Sequence, residues 1–253
     1  PTRRSSDLDH SDAAAAPGAA SPEVREAVAL ARLETALAGH PGRIALVSSF
    51  GAESVVLLHM VARLDPATPV LFGETGMLFR ETLAYQREVA ESLGLEDVRR
   101  LRPDPDDLAA EDPDGRLHRS DDRRCCELRK VRPLERALAG FDAWITGRKR
   151  MQSAGRAELP VAERDGAGRL KLNPLADWTA PALAEFMDRH ALPRHPLVAA
   201  GYPSIGCAPC TTPVAPGEAP RAGRWRGSDR QECGLHFVGG RAVRAAGAGA
   251  GGA

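Results

Sequence analysis

The stretch Ile44-Ala45-Leu46-Val47-Ser48-Ser49-Phe50-Gly51-Ala52-Glu53-Ser54-Val55-Val56-Leu57-Leu58 runs from one apolar segment through a small polar loop into another. Four apolar residues in a row, closed by serines, have the pattern of a strand buried on both faces, and the apolar run of 55–62 has helix length. The same strand, loop and helix recur at Val70-Leu71-Phe72, Gly73-Glu74-Thr75-Gly76 and residues 80–93. Working outward, 98–101, 143–146 and 171–172 read as further strands, and 23–38, 127–139 and 180–190 as helices. Strands alternating with helices specify an α/β fold: a Rossmann-like parallel sheet of about five strands, with right-handed crossovers and helices on both faces. Ligands of such sheets lie at the carboxyl ends of the strands, which here carry the polar loops.

Composition narrows the function. The 253 residues carry 34 basic and 34 acidic side chains, so no global field favours nucleic acid or an anionic membrane. No apolar run reaches the length of a membrane span, and residues 1–20 lack the apolar core of a signal peptide, so a cytoplasmic location is expected. Four regions follow: a disordered N-terminal segment (1–22), an α/β nucleotide-binding domain (23–198), an irregular cysteine-bearing segment (199–236) and a disordered Gly/Ala-rich tail (237–253).

Four motifs carry chemistry. Ser48, Ser49, Gly51 and Ser54 sit in a strand-to-helix loop whose N–H groups and hydroxyls can cradle an anion; an ordinary capped turn has the same composition. Cys125 and Cys126, together with the pair Cys207 and Cys210, offer four thiolates for an iron–sulfur cluster or a structural zinc. Adjacent cysteines diverge, which favours a cluster with separate iron corners, while a transient Cys207–Cys210 disulfide is a further alternative. Lys130, four residues after Cys126 on an expected helix, falls either beside that negative charge or on a solvated face. Cys233 is the leftover cysteine. It follows Arg221, Arg224, Arg226 and Arg230, whose charge would activate a nucleophilic thiolate, although an idle surface thiol would look the same. Arg148, Lys149 and Arg150 follow an expected strand end, where arginine forks match phosphate and sulfate oxygens.

Seven segments in order give the chain a family resemblance: 49–54; 74–79 with Glu81-Thr82; 125–130; 144–148 with Gln152-Ser153; 201–211; 221–225; and Glu232-Cys233-Gly234-Leu235-His236. Together they resemble the assimilatory phosphosulfate reductases, and within these the adenylyl-sulfate reductases that hold an iron–sulfur cluster. The resemblance implies an adenine-nucleotide α-hydrolase-like fold. It further implies a 4Fe-4S cluster on Cys125, Cys126, Cys207 and Cys210, tuned by Lys130, and substrate contacts from Ser48, Ser49, Gly51, Ser54, Arg148, Arg221, Arg224 and His236. In the implied reaction Cys233 attacks the sulfur of adenosine 5′-phosphosulfate and releases AMP. Thioredoxin or glutaredoxin then frees sulfite from the Cys233 S-sulfonate, in sulfate assimilation and cysteine biosynthesis. A homo-oligomer fits this picture; nucleic acid and membrane partners do not. The cluster-less relatives act on the 3′-phosphorylated nucleotide, so that activity is one alternative, and a non-catalytic zinc-stabilised nucleotide-binding module is another. Glu74 departs from the Asp-Thr-Gly frequent in the family by one methylene, and no contact is assigned to it.

Overall fold

The computed structural model describes residues 20–228 and 230. Its elements in chain order are α1 (Pro22–Gly39), β1 (Ile44–Ser48), α2 (Ser54–Leu64), β2 (Val70–Gly73), α3 (Arg80–Ser92), β3 (Val98–Leu101) and α4 (Pro105–Glu111). Then come α5 (Leu117–Ser120), α6 (Asp122–Cys126), α7 (Arg132–Leu138), β4 (Ala143–Thr146), β5 (Ala162–Arg164), β6 (Leu170–Leu172), α8 (Ala180–Arg189) and α9 (Pro196–Ala199). The sheet has six strands in the order β3-β2-β1-β4-β6-β5. All neighbours pair in parallel except β5, which runs antiparallel to β6. The disordered segment and tail expected at the two ends, 1–22 and 237–253, lie outside the described residues except for 20–22. There Ser21 caps α1, accepting from Val24 N at 3.4 Å, and Pro22 opens the helix.

The alternation within β1 distributes the core. Ile44 and Leu46 face a large cluster formed with α1, α2 and α8, including Leu33, Val56, Met60 and Phe186. Ala45 faces the opposite side, where Leu71, Leu134, Leu138, Phe141 and Trp144 close a smaller cluster under α7. Each fully buried side chain of this kind contributes about 1.5–3 kcal/mol, and burial on both faces explains why β1, β2 and β4 read as unbroken apolar runs.

Two features depart from the expectation. The sheet has a sixth strand, β5, whose residues Ala162-Glu163-Arg164 are largely exposed and show no apolar pattern. It exists because Asp165 organises a turn, its Oδ1 accepting from Ala167 N (2.9 Å) and Arg169 N (3.0 Å), while Gly168 adopts φ +82°. The helix expected over 127–139 is also broken. A single π-turn, Glu127–Val131, separates α6 from α7, because Pro133 has no N–H to continue the ladder.

Candidate active site

The loops at the carboxyl ends of β1, β2 and β4 converge with the irregular segment 204–230. In the first loop Phe50 takes the left-handed conformation (φ 47°) with its ring buried against Phe72. Such a conformation in a bulky residue is strained and is held only by its surroundings. Ser48 Oγ accepts from Phe50 N (3.2 Å) and Ser54 Oγ from Gly51 N (3.0 Å), so both hydroxyl hydrogens are left to donate. A Cβ on Gly51 would lie 3.4 Å from Ser49 Oγ and 3.7 Å from the Ile205 carbonyl, so the loop is narrow where segment 204–207 crosses it. The four loop residues singled out in the sequence therefore sit together, at the N-terminus of α2.

All four cysteines of the expected ligand set converge. Cys125 and Cys126 end α6 immediately before the π-turn, and both are buried. Cys207 forms an isolated bridge with Leu78, and Ala208 N donates to Met77 O at 2.8 Å, which brings the second pair against the loop after β2. Burial, reinforced by Cys126, Cys207 and Cys210 around it, pushes the Cys125 thiol up to about 12. Cys210 is raised by burial and by Cys207 and Cys126. Cys207 goes the other way. Burial would raise it, but the Lys130 ammonium, the hydroxyl of Thr75 and the Arg224 guanidinium outweigh that and hold it below the ordinary thiol value. Lys130 thus lies beside the cysteine set, bonded to Cys207 and opposing the rise at Cys210 as well, with the π-turn between Cys126 and α7. None of the four is in a disulfide. Among the described residues no three His, Cys, Asp or Glu side chains are gathered about a point that would hold a single metal ion.

The supports of this set had no role assigned from sequence. Thr75 Oγ1 lies 3.3 Å from Cys207 Sγ, and its carbonyl accepts from Arg129 Nη1 at 2.9 Å. Arg129 is in turn held by Asp112 through Nε (3.0 Å) and Nη2 (2.5 Å), a pair with almost no solvent exposure. Thr75 belongs to the Glu-Thr-Gly motif and could have been singled out; nothing local marks Asp112. Glu74, left without a contact, spans two groups: Oε1 accepts from Gly76 N (2.9 Å) and Oε2 from Arg102 Nε (2.8 Å).

Beside the cysteines is a cavity of about 230 Å³ lined by Gln152, Ser153, Arg221, Arg224, Trp225 and Arg230. Arg224 stacks on the Trp225 ring at 4.5 Å, with Arg230 at 5.2 Å from the same ring. Arg224 Nη1 donates to the Ile205 carbonyl (3.1 Å), while Arg224 Nε and Trp225 Nε1 are buried donors without a partner. The arginine forks that line the cavity suit an acceptor-rich ligand. Arg221 and Arg224, expected as substrate contacts, both line this cavity. Arg148 instead points under the sheet edge, its Nε donating to Asn173 Oδ1 (3.2 Å) and its fork pairing with Glu163. Cys233 and His236 lie outside the described residues, the nearest described anchor being Arg230, whose Nη1 donates to the Asp122 carbonyl at 2.7 Å.

A parallel α/β sheet with a serine-rich loop after its first strand and an arginine-lined cavity at its carboxyl edge defines a nucleotide-binding protein of the adenine-nucleotide α-hydrolase-like class. Residues 43–213 match the phosphoadenosine phosphosulfate reductase domain, and the chain belongs to that family. It is 53% identical over 196 residues to adenosine 5′-phosphosulfate reductase of Mesorhizobium japonicum, covering 78% of this chain and 77% of that protein. It is 44% identical over 200 residues to phosphoadenosine 5′-phosphosulfate reductase of Gloeobacter violaceus, covering 77% and 82%. Among solved structures, phosphoadenylyl-sulfate reductase from Candida auris, in a phosphate complex, superposes with a TM-score of 0.62 at 25% identity, covering 76% of this chain and 96% of that one.

Proposed function

We propose that the protein reduces adenosine 5′-phosphosulfate to sulfite and AMP in sulfate assimilation. The observation that carries this reading is the conjunction of an arginine-lined cavity with four mutually interacting thiols, one of them bonded to Lys130. The loop hydroxyls of Ser48 and Ser54, with Arg221 and Arg224, neutralise the phosphosulfate oxygens. The Cys233 thiolate then attacks sulfur. A sulfur–sulfur bond forms, the bond from sulfur to the phosphate oxygen breaks, and AMP leaves with the electron pair. A dithiol protein of the thioredoxin or glutaredoxin type attacks Cys233 Sγ, sulfite departs, and the partner's second thiol closes a disulfide. Two electrons pass from the dithiol to sulfur.

The residues present fit a four-iron, four-sulfur cluster. Four thiols from two segments form the donor set, and their crowding, which opposes ionisation in the free protein, is relieved when a cationic centre binds the thiolates. Cys125, Cys126, Cys207 and Cys210 would hold it, with Lys130 tuning its charge. When bound it supplies a fixed electrostatic centre next to the cavity. The cytoplasm, where dithiol donors are reduced, is the matching compartment. A second reading, reduction of the 3′-phosphorylated nucleotide, is favoured by the name of the Gloeobacter relative.

Sulfite release from the two nucleotides at equal concentration separates these readings, with the 5′-phosphosulfate expected to react faster. The Cys233→Ser variant should make no sulfite, whereas intact mass of the parent should show one added sulfonate; a variant turning over at the parental rate refutes the mechanism. Anaerobically purified protein should contain iron, and recovery of zinc alone would refute the cluster.

A further inference from the structure

Lys149 stands between two loops of the site. Its side chain is only 3% exposed, and Nζ pairs with Glu53 Oε2 at 2.9 Å and donates to the Gly147 carbonyl at 3.0 Å. Glu53 is the N-cap residue of α2 in the serine-rich loop, yet its side chain makes no capping bond. The same Oε2 accepts from Gln152 Nε2 at 3.4 Å, and Gln152 lines the arginine cavity. Gln152 Oε1 completes the lattice by accepting from Lys149 N at 3.2 Å.

A carboxylate at the mouth of an anion cradle is unfavourable unless its charge is cancelled, because like charges within a few ångströms in a poorly solvated site repel strongly. A lysine buried without a partner is equally unfavourable. The pair resolves both, and the geometry also fastens the loop after β1 to the turn after β4. We propose that Lys149 is a positioning residue of the substrate site: its ammonium cancels the Glu53 charge at the mouth of the anion-binding loop, so that the loop can accept an anion.

This inference rests on the proposed nucleotide-reductase reading, and the test separates the two. Binding of adenosine 5′-phosphosulfate and of inorganic phosphate is titrated calorimetrically in the parent and three variants. Lys149→Met leaves Glu53 uncompensated and should weaken both anions about ten- to a hundredfold, the range expected for one uncancelled charge near the site. Glu53→Gln keeps an acceptor for Gln152 and removes the repulsion, so it should bind both at least as tightly as the parent. The double variant Glu53→Gln/Lys149→Met should regain most of the loss. A purely structural role would not produce opposite signs at the two positions or rescue in the double. Parental affinity in Lys149→Met, weakening by Glu53→Gln, or a double variant no better than Lys149→Met would each overturn the proposal. Should the parent bind phosphate but not the nucleotide, the functional reading falls while the phosphate titrations still decide the role of Lys149.

Discussion

Replacing Gly206 by alanine puts one methyl group where the Arg224 guanidinium now lies: a Cβ there would sit 2.5 Å from its Cζ. Gly206 has no positive φ, so the backbone accepts alanine, and the substitution stiffens the unfolded chain by an amount worth about 0.4–1 kcal/mol in favour of folding. The guanidinium is the far end of a flexible side chain and can swing away. In doing so it forfeits its bond to the Ile205 carbonyl, worth about 1.5–3 kcal/mol for a charged donor, and its stacking on Trp225, worth about 0.5–1 kcal/mol. Net stability should therefore fall by about 1–3 kcal/mol, a modest loss. The site should suffer more. If Arg224 binds the substrate as proposed, one charge-assisted contact is lost, which at about 1.5–3 kcal/mol weakens binding about ten- to 150-fold. Urea unfolding and calorimetric titration with adenosine 5′-phosphosulfate, run on Gly206→Ala, Arg224→Ala and the double variant, check both numbers. The double should bind no worse than Arg224→Ala, since both changes remove the same contact. Gly206→Ala binding substrate within about twofold of the parent would refute the assignment of Arg224 to the substrate.

Three further outcomes are expected. Burial first, and then the neighbouring Arg148, push the Lys171 ammonium down to about 8 despite the opposing Glu163, from an ordinary value of 10.5. Because the folded value is the lower one, the native state sheds this proton first and parental stability rises with pH between about 8 and 10.5. Lys171→Met should thus be the more stable protein at pH 7, by at most about 3 kcal/mol, with a gap that shrinks as pH rises through that window in urea unfolding; a pH-independent gap refutes the assignment. Asp112→Ala strands the buried Arg129 charge and should cost about 3–5 kcal/mol, whereas Arg129→Met/Asp112→Ala together should cost less than Asp112→Ala alone. Glu74→Asp, one methylene shorter, should lose either the Gly76 N–H or the Arg102 contact, lowering stability by about 1 kcal/mol in thermal unfolding; full parental stability would show that the turn re-forms around the shorter acid.

Much of the site was legible because its chemistry is local. Loop 48–54 announced itself through the change from apolar run to serine and glycine, and the cysteines through their number and spacing. The supports were not legible. Asp112 looks like one of several aspartates in a polar stretch, and only the fold shows that it alone closes on Arg129, 17 residues away. Lys149 and Arg148 read as one basic run, yet neighbouring residues of an extended segment point opposite ways, so one pairs with Glu53 and the other with Glu163. Strand β5 escaped because exposed edge pairing needs a turn and a partner rather than an apolar pattern.

The amino-acid sequence by itself determined the alternation of strands and helices, the mostly parallel character of the sheet and the candidate reactive side chains. These depend on burial and residue chemistry, which are encoded within about ten positions. Only the tertiary structure decided that Lys130 meets Cys207, that the orphaned donors of Arg224 and Trp225 border one cavity, and which cations are spent on carboxylates. Those facts depend on groups brought together from 53 to 225 by the packing of the sheet, and a single π-turn or proline changes which of them touch.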